Sequence, residues 1–75
     1  MNADELLRRY AAGERNFANI DLRGADLRGS DLAEIDLSKS DLRRASLSNA
    51  NLVRAKLQGS NLCEANLDRK STRLN

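Results

Sequence analysis

Histidine and tryptophan are missing from this chain, and cysteine, tyrosine and phenylalanine occur once each. Without histidine, the side chain that titrates near neutrality, the inventory for general acid–base chemistry and metal ligation is poor. A single cysteine, Cys63, forms no internal disulfide and gives no pairing framework of the secreted kind. Aromatic residues at 3% provide neither stacking platforms for nucleobases nor a core of large side chains. Long apolar runs are absent too, so no window is suited to crossing a membrane. The N-terminus carries Asp4 and Glu5 where a signal peptide needs a basic region before an apolar stretch. These absences predict a soluble cytoplasmic protein that has no membrane partner, no cofactor and no small-molecule substrate.

Charge is plentiful but evenly mixed. Residues 15–44 hold six basic and six acidic side chains, whereas residues 45–75 hold five basic and two acidic, a net +3. That mild excess is far from the clustered positive charge of a nucleic-acid binder, and nucleic acid is not an expected partner. With 75 residues, a compact globule has difficulty burying enough apolar surface to offset its chain entropy. Stability therefore has to come from something regular, such as stacked aliphatics on backbone ladders.

That regularity is present. From Phe17 and Leu22, a leucine returns every fifth residue at Leu27, Leu32, Leu37, Leu42, Leu47, Leu52, Leu57, Leu62 and Leu67. Eleven units fill residues 15–69. A period of five sends leucines around all sides of an α-helix and onto alternate faces of a flat strand, so neither element is acceptable. Two residues before each leucine stand Ile20, Ala25, Ser30, Ile35, Ser40, Ala45, Ala50, Ala55, Ser60 and Ala65, all small or apolar; Arg15 breaks the rule. A spacing of two points both positions inward from an extended triplet. The residue just before each leucine is mostly Asp or Asn, and units end in Gly24, Gly29 or Gly59, chemistry that turns a corner. A chain turning once every five residues closes into a coil whose backbone groups pair with the next coil.

Residues 2–12 read as a short helix. Asn2 is the N-cap with Glu5 three residues on, Leu6, Leu7, Tyr10 and Ala11 make one apolar stripe, and Gly13 supplies the stop. So short a helix is marginal by itself, which predicts that it lies on the open end of the repeat stack.

The runs Ala25-Asp26-Leu27-Arg28-Gly29, Ala50-Asn51-Leu52-Val53-Arg54 and Ala65-Asn66-Leu67-Asp68-Arg69 resemble the pentapeptide-repeat family, with its A(D/N)LXX pattern. The segment from Glu5 to Phe17 is similar to the N-terminal caps of members common in cyanobacteria. The resemblance implies an all-β solenoid, a right-handed quadrilateral β-helix with four units per coil, hence about 2.75 coils here with the short capping helix before them. Residues twenty apart then stack, and the interior is filled, with no pore or ligand cavity. The tail, residues 70–75, falls out of the fivefold count: its next central position is Thr72 and Leu74 is out of register. We expect it to be disordered, and the loss of register also fits a truncated piece of a longer product.

Candidate sites are few. Asp21, Asp41 and Asn61 share a face, but the turn role that the repeat demands of such residues accounts for them. Cys63 sits above Arg23 and Arg43, whose charges favour a thiolate, yet it has no resolving partner. Arg23, Arg43 and Arg44, with Arg28 on the next face, suggest a phosphate grip that the neighbouring Asp21 and Asp41 neutralise. Catalytic, cofactor-binding and metal residues are therefore predicted to be none. Interaction is assigned instead to the last coil, through Leu57, Leu62, Leu67 and Arg69. That coil is uncapped at the sequence level, and the expected partner is a second copy or a larger repeat protein. The alternative, implied by the resemblance alone, is a regulator or protector of DNA gyrase that imitates duplex DNA. A pI near 9.1 and a short stack fit that alternative poorly.

Overall fold

The computed structural model describes residues 1–67 and 73–74. Helix α1, Ala3–Ala11, is followed by a continuous coil in which residue pairs exactly one repeat of twenty apart bridge in parallel. The bridges join Asn16 to Asp36, Asp21 to Asp41, Asp26 to Ser46 and Asp31 to Asn51, then Asp36 to Lys56, Asp41 to Asn61 and Ser46 to Asn66. Twenty residues per coil and five per unit make four sides. From Phe17 to Leu47 the amide at the leucine position donates to the carbonyl of the residue before the leucine one coil on, as Phe17 to Asp36, Leu22 to Asp41 and Leu42 to Asn61, each at 2.8 Å. The return bonds run from Asp41 to Ile20 and from Asn61 to Ser40. Two residues per side thus satisfy the backbone, and the corners need their own bonds.

From Leu22 to Leu62 each corner is a turn closed by a bond from the residue three beyond the leucine back to the leucine carbonyl, as from Ala45 to Leu42 and from Ala50 to Leu47. The second residue after the leucine has a positive φ at every corner from Asn19 (60°) to Glu64 (61°). That is the requirement of a type II turn at its third position. Only Gly24, Gly29 and Gly59 meet it without a Cβ; Glu34, Lys39, Arg44, Asn49 and Arg54 adopt the same geometry at φ between 57° and 65°. Sequence reading expects glycine there, but the ladder on either side imposes the conformation on whatever residue occupies the corner.

The interior is a stack of leucines. Leu22, Leu27, Leu32, Leu37, Leu42, Leu47 and Leu52 are buried together with Phe17, Ile35, Ala45 and Ala50. Ser40 is buried among them because its hydroxyl donates to the Phe17 carbonyl (2.9 Å) and accepts from the Ile20 amide (3.3 Å). Ser60 repeats the donation to the Leu37 carbonyl at 2.6 Å. Inward serines are therefore bonds between coils as well as small fillers, a role that their position alone does not reveal.

Helix α1 closes the N-terminal end. Asn2 caps it, Oδ1 accepting from the Glu5 amide at 2.8 Å, and Gly13 at φ +105° turns the chain away. Leu6 is fully buried, with Met1, Ala3, Leu7 and Tyr10 packed around the same core. Ala11, expected in the stripe, is exposed. The Tyr10 hydroxyl donates to the Ala33 carbonyl at 2.7 Å, and the Arg15 guanidinium stacks 3.7 Å from the Tyr10 ring centroid. Arg15 also donates to the Tyr10 and Glu14 carbonyls, so the one inward position that breaks the pattern is used to hold the cap.

The expected disordered tail needs correction at two residues. Strand β1, Asn51–Leu52, pairs in parallel with β2, Arg73–Leu74, in the register Asn51 to Arg73 and Leu52 to Leu74. The offset is 22 and not 20, which is why Leu74 looks out of register in a fivefold count. The open edge of β1 offers unpaired backbone groups, and a ladder needs those groups in step, not a constant sequence spacing. The remaining tail residues, 70–72 and 75, lie outside the described residues.

Candidate functional site

Outward side chains form columns, because residues twenty apart lie about one strand separation, roughly 4.8 Å, from each other. The aspartates before the leucines perform two tasks. Oδ1 of Asp21, Asp26, Asp31, Asp36 and Asp41 accepts from the backbone amide two residues on, at 3.0–3.2 Å. Three of them also grip an arginine at that second position: Asp21 with Arg23 at 2.8 Å, Asp26 with Arg28 at 2.8 Å and Asp41 with Arg43 at 2.6 Å. Arg23 further approaches Asp41 at 3.8 Å, so the column is a ladder of alternating sign.

Titration follows that geometry. The Arg23 side chain, then its backbone amide, hold the Asp21 carboxyl at about 2. Asp26 and Asp41 are lowered mainly by Arg28 and Arg43, and Asp36 mainly by the Ser38 hydroxyl, which donates at 2.6 Å. Glu14 is lowered by its bond with Arg9. Because these folded-state values lie below those of an unfolded carboxyl, near 4, the contribution to stability is complete above pH 4. It is lost as pH falls through the folded values. The melting temperature is therefore expected to be level from neutrality to about pH 4 and to drop between about pH 4 and pH 2. Thermal unfolding by circular dichroism across that range checks it, and a flat profile down to pH 2 would refute the assignment.

The expected arginine face exists. Arg23, Arg43 and Arg44 line an open groove of about 750 Å³ with Asp21, Cys63, Glu64 and Met1. Its chemistry is closed, however: Arg44 bonds Glu64 at 3.0 Å, and Arg23 and Arg43 are held by their aspartates. Each guanidinium there is already charge-paired with a carboxylate, which weakens the pull of the face on a phosphate. Cys63 is exposed on the same column. Arg28 stands apart with Asp26. Among the described residues, no group of three or more histidine, cysteine or acidic side chains is placed to hold a metal ion. Among the same residues, no helix is long and apolar enough to cross a membrane.

The remaining candidates are at the C-terminal edge. Leu57, Leu62 and Leu67 pack against the core but are only half-buried, whereas every leucine from Leu22 to Leu52 is fully enclosed. Their amides, unlike those of Phe17 to Leu42, have no carbonyl partner among the described residues. Arg69, also assigned to this edge, lies outside the described residues.

The profile described as Pentapeptide repeats matches residues 15–44 and 30–69, in eight copies. The chain belongs to the pentapeptide-repeat family. Solved pentapeptide-repeat structures agree. Rfr23, a pentapeptide repeat protein from the cyanobacterium Cyanothece 51142, is 34% identical at a TM-score of 0.68, over 80% of this chain and 43% of its own. HetL, involved in heterocyst differentiation regulation in the cyanobacterium Nostoc sp. strain PCC 7120, is 39% identical at a TM-score of 0.56, over 100% of this chain and 37% of its own. The Nostoc protein alr5209 is 26% identical at a TM-score of 0.54, over 99% and 86%. No curated protein matches. The chain thus spans less than half the length of Rfr23 and HetL. The pentapeptide-repeat neighbours imply the right-handed β-helix fold that the resemblance led us to expect, and the family consists generally of structural or interaction modules.

Proposed function

We propose that the chain is a non-enzymatic protein–protein interaction module that self-associates through its C-terminal coil. The observation that carries this reading is the contrast within one leucine stack: enclosed from Leu22 to Leu52, half-buried at Leu57, Leu62 and Leu67, whose amides have no carbonyl partner among the described residues. Apolar side chains and open backbone groups at one edge favour a surface that supplies both contacts. The absence of catalysis draws support from the carboxylates. On the arginine face Asp21 and Asp41 are each tied to a guanidinium and to a turn amide, an arrangement that keeps them ionised and occupied. The gyrase-directed alternative draws less support, since a mimic of duplex DNA needs uninterrupted negative columns and Arg23, Arg28 and Arg43 interrupt these.

Light scattering over a dilution series tests the reading. Mass is expected to rise from monomer towards dimer as concentration approaches millimolar. Leu62→Glu, which places a charge on the open edge and not in the enclosed core, is expected to remain monomeric with an unchanged circular dichroism spectrum. A wild-type chain that stays strictly monomeric throughout would overturn self-association.

A further inference from the structure

The position before each leucine normally carries the acceptor of its turn. Oδ1 of Asn16, of each aspartate from Asp21 to Asp41, and of Asn51 and Asn61 accepts from the amide two residues on. Ser46 stands at this position as a neutral hydroxyl, and among the described residues neither that hydroxyl nor the Ser48 amide has a hydrogen-bond partner. Ser46 is also the one serine with arginine both three and two residues before it, in the run Arg43-Arg44-Ala45-Ser46-Leu47. Two guanidiniums at that spacing match a cleft lined with carboxylates, and the leucine after the serine supplies an apolar anchor.

We infer that Ser46 is a phosphorylation site, modified by a serine kinase whose peptide cleft is acidic. The γ-phosphoryl group of a nucleoside triphosphate passes to Ser46 Oγ. The bond from the γ-phosphorus to the bridging oxygen breaks, the bond from Oγ to phosphorus forms, the diphosphate leaves, and the hydroxyl proton goes to the kinase's base.

The repeat itself shows how the fold receives the group, because a phosphoserine supplies the acceptor oxygens that this turn lacks. Asp36 is one precedent: it accepts from both the amide (3.0 Å) and the hydroxyl (2.6 Å) of Ser38. Ser48 offers the same two donors to residue 46. Asp41 is the other precedent. Arg23 holds Asp21 at 2.8 Å and reaches Asp41, one coil on, at 3.8 Å. Arg28 holds Asp26 at 2.8 Å and stands at the same sequence distance before Ser46 as Arg23 does before Asp41. It therefore separates the phosphate from the Asp26 carboxylate, while Asn66, bridged to Ser46 from the other side, is neutral. Among the described residues this face otherwise holds only Asp26 and Arg28 as charges, so a phosphate, with about two negative charges, makes it acidic.

Transfer requires the segment to open. In the closed coil the Ser46 amide bonds to the Ala25 carbonyl, its carbonyl to the Leu27 amide and the Leu47 amide to the Asn66 carbonyl, each at 2.8 Å, and Leu47 is fully buried. A kinase binds its peptide extended and unpaired. It acts when the coils around Ser46 part, and its rate follows the population of that state.

The full chain incubated with ATP and the catalytic subunit of cyclic-AMP-dependent protein kinase, which has such a cleft, tests the inference. One phosphate is expected, mapped to Ser46 by tandem mass spectrometry. Its incorporation is expected to be about fivefold faster in Leu62→Ala, whose outer coil is looser, and more than about tenfold slower in the Arg43→Gln, Arg44→Gln double variant. The modified chain is expected to melt about 4–8 °C above the unmodified one, a gain that Arg28→Gln loses. Phosphate on Ser48 or Thr72 in place of Ser46, or on no residue, overturns the site. Equal rates in wild type and Leu62→Ala overturn the opening step, and a modified chain that melts no higher overturns the place given to the phosphate in the turn.

Discussion

Leu42→Ala is expected to lower stability by about 2–5 kcal/mol, the range for emptying an enclosed leucine site. Leu42 sits in the middle of its column, between Leu22 and Leu62, with no exposed surface. Its neighbours are held by a ladder at fixed spacing, through the bonds from Leu22 to Asp41 and from Leu42 to Asn61, and cannot collapse into the space. A domain of this length has a total of only about 4–11 kcal/mol. The substitution therefore removes much of it and is expected to lower the melting temperature by about 10–30 °C. Leu62→Ala, one coil further along the same column, removes the same atoms from a half-exposed site and leaves an open shelf instead of a cavity. It is expected to cost about 1 kcal/mol. Paired thermal melts decide the matter, because equal losses would mean that the outer coil is as enclosed as the inner one.

Leu6→Asp is the second large effect. Leu6 is the one fully buried residue of α1, and an unpaired carboxylate in its place is expected to cost about 3–5 kcal/mol. The first coil has no coil before it, so the apolar ends of Phe17, Leu22 and Leu27 rely on α1 for cover. The Arg9 guanidinium, 5.2 Å from the Phe17 ring centroid and bonded to Glu14, and the Tyr10 bond to Ala33 hold the helix in place but do not fill the end. A nine-residue helix released from this contact does not persist in water. Loss of the helical circular dichroism signal is expected, together with fast hydrogen exchange at the amides of Phe17 and Leu22 and slower exchange retained at Leu42. Retention of the helical signal at full strength would show that α1 is stable without its docking residue.

Most of the fold was legible because a period of five admits so few backbones. The register from Phe17 to Leu67 identifies the interior, the Asp and Asn before each leucine mark the turns that the structure builds with their Oδ1 atoms, and Asn2 and Gly13 bound the helix where it occurs. These are local signals, carried by residue type and spacing. The arginine face was legible in the same way, through the twentyfold stacking of Asp21, Asp41 and Asn61, and so was its neutrality.

Other features depended on neighbours in space. Glu34, Lys39 and Arg44 adopt positive φ because the coils on each side impose the corner, against their own preference. Ser40 bonds to the Phe17 carbonyl 23 residues away, a contact that exists only once coils are stacked. Arg15 violates the inward pattern, and only the packed cap shows it lying on Tyr10. Leu74 departs from the fivefold count, yet its backbone pairs with Leu52, since hydrogen-bonding groups answer to position and not to sequence distance. The sequence by itself determined which side chains turn inward and where the chain turns. The tertiary structure decided how far each leucine is enclosed, from Leu42 in the middle to Leu62 at the edge, because burial depends on what lies above and below, and periodicity makes every unit look alike.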